Sequence, residues 1–61
     1  MKVENFVELV DYPDDIIITI YDYTIYDTVF EGLAEDVPSE YMDRDVRGFE
    51  IPSKNNILLN I

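Results

Sequence analysis

An α+β fold, a short N-terminal helix packed on a small four-stranded and mainly antiparallel sheet, is what three features of this chain predict. Val3, Phe6, Val7 and Val10 recur at i, i+3, i+4 and i+7, the spacing of one helix face. The stretch Asp15 to Tyr21 carries four isoleucines, a threonine and a tyrosine in succession after its aspartate. Such β-branched and aromatic residues fit a pleated, half-buried surface. Further apolar runs around Val29, Phe49 and Leu59 are separated by clusters of turn formers.

The helix is expected over Val3 to Val10, with Glu4 and Glu8 off its apolar stripe. Pro13 closes it, because the residue before a proline is pushed out of the α region. The first strand spans Asp15 to Tyr21. Ile16, Ile18 and Ile20 share the face that meets the core, and Ile17, Thr19 and Tyr21 share the other. Asp22 to Asp27 turns the chain, and a second strand runs from Thr28 to Leu33 as the other arm of a hairpin. A longer ribbon turning at Asp22 to Thr24 is the alternative register.

Gly32 marks a bulge or a strand end. Pro38 to Met42 makes one turn of helix with Tyr41 or Met42 pointing inward; Ser39 begins a capping box that Met42 fails to complete. A third strand follows from Val46 to Ile51, then a turn over Pro52 to Asn56 and a last strand from Asn56 to Ile61. Ile57, Leu59 and Ile61 face Phe49 and Ile51. The last strand is expected at an exposed edge, where it would invite pairing with another chain.

With 61 residues there is room for one domain and one core. Domains this small normally lean on a disulfide, a metal or self-association. The chain has no cysteine and no histidine, which removes disulfides, thiolate and imidazole metal sites, and an imidazole base. Tight packing or homodimerisation remains. Hydrophobic residues form 48% of the chain, too many for a disordered segment. No apolar run approaches the length of a membrane span, and the N-terminus lacks signal-peptide character. The expected location is the cytoplasm.

Charge is the dominant global property: 14 acidic residues against 4 basic, a formal net charge of −10. Such a surface repels nucleic acid and anionic membrane and is drawn to basic partners. Solubility alone also explains acidity.

No catalytic, cofactor or metal site is expected. The segment Asp43-Arg44-Asp45-Val46-Arg47-Gly48 has the outline of a calcium loop, but Arg47 and Lys54 stand where the ion requires oxygen. The carboxylate pairs Asp14/Asp15 and Glu35/Asp36 fall in turns rather than in a cleft that could raise one pKa. Ser39 and Ser53 have no histidine to activate them, and Gly32 and Gly48 form no phosphate loop.

Tyr12, Tyr21, Tyr23 and Tyr26 lie among Asp11, Asp14, Asp15, Asp22 and Asp27. Tyrosine brings a large rigid ring with a polar tip and is enriched in binding hot spots. From Asp11 to Asp45 there are eleven acids and one base, Arg44. Alternate strand residues are about 6.6 Å apart, so carboxylates along a sheet edge approximate a row of phosphates. The expected contact surface is Asp22, Tyr23, Tyr26, Asp27, Glu31, Glu35 and Asp36, directed at a basic protein surface such as that of a nucleic-acid-binding effector, with no direct nucleic-acid or membrane contact.

The segment Val29-Phe30-Glu31-Gly32-Leu33-Ala34-Glu35-Asp36-Val37-Pro38, with the polar helix and closing strands after it, resembles the small acidic open reading frames of phages and prophages of gut Firmicutes. That resemblance implies a mobile-element origin. It also implies a function of the kind carried by anti-CRISPR and other anti-defence inhibitors, which block nucleic-acid-binding grooves. The other expectation is a small structural or assembly protein that works as a homodimer.

Overall fold

The computed structural model describes residues 1–61. Helix α1 (Val3–Leu9) leads to strand β1 (Ile17–Asp22) and strand β2 (Asp27–Leu33). A 3-10 turn (Ala34–Asp36) and a single-turn helix α2 (Ser39–Met42) then carry the chain to β3 (Gly48–Ser53) and β4 (Asn56–Asn60). The result is the expected α+β fold, with the elements bounded within about two residues of their sequence positions. Asn5 Oδ1 accepts the Lys2 N–H at 2.8 Å and starts α1. Val3 is fully buried, and Phe6, Val7 and Val10 pack on the core from the same stripe.

The four strands form one sheet in the order β2-β1-β4-β3. The hairpins β1–β2 and β3–β4 are antiparallel, and they join through a parallel pairing of β1 with β4. The last strand is therefore an inner strand and not the expected edge. The reason is apolar content: β1 and β4 carry the residues that most need cover, whereas β2 and β3 hold Glu31, Gly32, Glu50 and Pro52. The segment from residue 34 to residue 47 crosses the helix-covered face, so β3 starts at the same end of the sheet as β2 and β4 runs beside β1.

Ile18, Ile20, Leu59, Ile61, Val3, Ala34 and Val37 form the core. Ile16, which was expected among them, is half-buried where the chain enters the sheet. Tyr41 and Met42 both turn inward and pack against this core. Phe6 meets Phe49 with ring centroids 5.3 Å apart. Ile51 was expected to face β4 but is 64% exposed. Pairing shifts between Glu50 and Ser53, so Ile51 and Pro52 together oppose Ile57 and leave the ladder.

No bulge occurs at Gly32, which pairs regularly with Ile18. The irregularity lies between Ile20 and Tyr21, where Val29 is the extra residue. Gly32 is explained by Phe30: a Cβ there would stand 3.0 Å from Phe30 Cζ, so the ring folds over the space a side chain would fill. The chain turns over residues 23–26, and the alternative long ribbon is not adopted.

Ile18→Ala should cost about 2–5 kcal/mol, because the surroundings of so buried a side chain close only partly on a cavity. A domain of this size holds roughly 3–5 kcal/mol in all. A urea titration should therefore find the variant largely unfolded, while Leu9→Ala, at a position 70% exposed, leaves the midpoint within about 0.5 kcal/mol of the parent.

Candidate acidic interface

The two ends of the sheet differ. At the end bearing the β1–β2 turn, Lys2 pairs through its backbone with Asp45 in an isolated antiparallel bridge, Arg47 donates its backbone N–H to Asn60 O at 2.7 Å, and the Arg44 side chain reaches Asp22. Three of the 4 basic residues thus gather there. At the opposite end, Ala34 N–H donates to Ile16 O at 2.9 Å and Glu35 N–H donates to Pro13 O at 3.1 Å. These bonds bring the acidic turn Asp14-Asp15 beside Glu35-Asp36. All of these acids are exposed, and Lys54 in the β3–β4 turn is the basic residue of that end. No three acidic side chains converge closely enough to hold a metal ion, and the surface has no pocket.

Asp22 stands apart from the other expected contact residues. It is 6% exposed, which corrects the expectation that it lies on the surface. Its Oδ1 accepts the Thr24 hydroxyl and the Thr24 N–H, the latter at 2.8 Å. Its Oδ2 accepts Arg44 Nη2 at 3.3 Å, and this is the one ion pair of the molecule. The Thr24 hydroxyl, then the Thr24 N–H, then the Arg44 guanidinium hold the Asp22 carboxyl below the ordinary aspartate value, against a desolvation that raises it. Asp22 is a structural anchor for the turn. Replacing it with lysine would set two cations against each other in a site built for a carboxylate.

Of the remaining expected residues, Tyr23 continues β1, where its N–H donates to Ile61 O at 3.0 Å, and the others lie along β2 and at its two ends. Tyr23 is 45% exposed, and its ring meets Tyr21 edge-on at 5.0 Å. Tyr26 is 76% exposed and has a φ of 54°, an unusual left-handed backbone for a side chain of this size. Asp27 is exposed, and its Oδ1 accepts the Thr28 N–H at 2.9 Å. Glu31 accepts the Thr19 hydroxyl at 3.2 Å on the face away from the helices, and Thr19 in turn accepts Asn56 Nδ2 at 3.3 Å. Glu35 and Asp36 lie exposed in the 3-10 turn. With seven residues in β2, the strip from Tyr26 to Glu35 runs for about 20 Å or more.

Sequence reasoning missed that Asp14 and Asp15 belong to this strip. The contact is made where the ladder ends: Ala34 bonds Ile16, and Glu35 then bonds Pro13 across the turn that holds Asp14 and Asp15, a pairing of segments about 20 residues apart that no local pattern signals. It also missed Ile25, which is 60% exposed at the turn tip between the two tyrosines. No protein family, curated protein or solved structure matches the chain.

Because the folded Asp22 carboxyl titrates below its unfolded value, its contribution to stability is complete above about pH 4, where the unfolded aspartate is ionised. It is lost as pH falls through the lowered folded value. Thermal melts of Asp22→Asn and the parent across the acid range should show a parent advantage near neutrality that shrinks in acid. An advantage that persists unchanged in strong acid contradicts this role for the ionised carboxylate.

Proposed function

We propose that this chain is a non-catalytic acidic binding protein, an inhibitor or nucleic-acid mimic that occupies a basic groove of a nucleic-acid-handling protein in the host cytosol. The observation that carries this reading is the uncompensated charge. Only one of the 14 acidic residues is paired with a base, which leaves the net charge of −10 facing solvent. Beside those acids, Tyr12, Tyr23 and Tyr26 are exposed. Rings of this type supply contact area at small entropic cost, and the carboxylates steer encounter and set register. The contact residues are Tyr23, Tyr26, Asp27, Glu31, Glu35 and Asp36, joined by Asp14 and Asp15. A mobile-element origin, the expectation drawn from the Val29–Pro38 segment, makes a defence protein the proposed target.

The test is capture of basic nucleic-acid-binding proteins from a bacterial lysate over a salt series. Affinity should fall at least about tenfold as ionic strength rises through the range in which exposed charges become screened. Reversing Asp27, Glu31, Glu35 and Asp36 to lysine should abolish capture, and reversing Glu8 on α1 should not. Capture that ignores both salt and the fourfold reversal would sink the reading.

A second reading, a small structural or assembly protein acting as a homodimer, is favoured by one observation. Leu9, Phe49 and Ile51 are 70%, 56% and 64% exposed. Helix α1 and strand β3 both run away from the turn-bearing end, so Leu9 lies beyond Phe6 as Ile51 lies beyond Phe49. Under this reading light scattering at micromolar concentration reports a dimer that Ile51→Lys dissociates; a monomer at every concentration excludes it.

A further inference from the structure

We infer that the free edge of β2 is a docking site for an extended basic peptide segment, which adds to the sheet as a fifth strand. The inference rests on the acidic-binding reading above and specifies how the partner is held. Its first support is the direction of the backbone groups. Ile17 N–H donates to Asn55 O and Tyr21 O accepts Ile61 N–H, so the odd residues of β1 bond towards β4. Ile16 O accepts Ala34 N–H, so the even residues bond towards β2. By the alternation of an antiparallel ladder, Phe30 and Gly32 then face β1, and Glu31 and Leu33 turn their N–H and C=O groups outward.

The two edges of the sheet are not equivalent. On β3, Pro52 and the bulge at Ile51 break the row of donors, a usual guard against strand addition. On β2 the residues after Val29 pair regularly and include no proline. The outward row ends where Glu35 N–H is taken by Pro13 O. That leaves a short docking rail at Glu31 and Leu33.

Charge selects the occupant. Glu31 stands on the rail with one carboxylate oxygen bonded to Thr19, Asp27 flanks one end, and Asp14, Asp15, Glu35 and Asp36 flank the other. No basic residue occurs between Lys2 and Arg44, so nothing on this edge repels a cationic strand. A second copy of the chain, with the same acidic edge, is disfavoured there. Main-chain bonds would supply affinity, and arginine or lysine at alternate positions of the peptide would meet the carboxylates.

The experiment uses a short synthetic peptide of alternating arginine and threonine, with a version N-methylated at the amides that would enter the ladder. Leu33 has φ −64°, the value proline imposes, and its N–H faces outward. Leu33→Pro should therefore fold, keep every charge and remove one donor from the rail; Leu33→Ala keeps the donor and controls for the lost side chain. Binding should weaken about tenfold in Leu33→Pro and with the methylated peptide, and little in Leu33→Ala. Amide exchange at Glu31 and Leu33 should slow on binding while β3 is unchanged.

Equal affinity for both peptides, with unchanged exchange at β2, overturns the edge site even if binding remains salt-sensitive. In that outcome the wider electrostatic reading survives alone. Absence of peptide binding at low salt also overturns the edge site, and the lysate series then decides the wider reading independently. Should Leu33→Pro fail to fold, the methylated peptide and the exchange pattern decide the matter.

Discussion

The parallel seam between β1 and β4 is the constraint on which the rest of the molecule depends. Ile18, Ile20, Leu59 and Ile61 are all buried along it, and there is no disulfide to share the task. Full burial of such a side chain is worth roughly 1.5–3 kcal/mol relative to exposure. In a chain of 61 residues these few side chains are a large part of what opposes the entropy of ordering. Helix α1 adds Val3 to the same core, and the 3-10 turn adds Ala34. Once the two most apolar strands have taken the middle, β2 and β3 must be edges, and the charged residues have nowhere to go but the rim and the face away from the helices.

That arrangement decides the electrostatics. A core this thin cannot host ion pairs at low cost, and the single pair, Asp22 with Arg44, sits at its margin, where the Arg44 side chain is 42% exposed. It ties the β1–β2 turn to the segment that leads into β3, with Thr24 completing the carboxylate's shell. The tip beyond it, Tyr23 to Tyr26, is held with Ile25 and Tyr26 pointing into water. A left-handed tyrosine at a turn normally occupied by glycine or asparagine is a local conflict between stability and something else.

Much of this was legible in the residues. The stripe Val3, Phe6, Val7, Val10 announced α1, and the alternation around Ile18 and Ile20 announced the buried face of β1. Most of the acidic surface was legible as well, since Tyr26, Asp27, Glu35 and Asp36 are exposed where turn chemistry suggested. Asp22 was misjudged on two counts: its bonds to Thr24 form a local turn that was not anticipated, and Arg44, which closes the site from the other side, lies 22 residues away in the chain. The position of β4 was misjudged for a related reason. A strand's own pattern tells which of its faces is apolar, but gives no sign of which neighbour lies on its flank.

By itself the sequence determined the elements, their apolar faces, the excess of carboxylates and the absence of thiol and imidazole chemistry, because these follow from residue type and short-range spacing. Tertiary structure alone decided that β1 and β4 lie parallel at the centre, that Asp14-Asp15 comes beside Glu35-Asp36, and that Arg44 reaches Asp22. Each of those outcomes depends on contacts between segments distant in the chain. Competition among all the apolar surfaces for a single small interior selects such contacts, and no local window contains that competition.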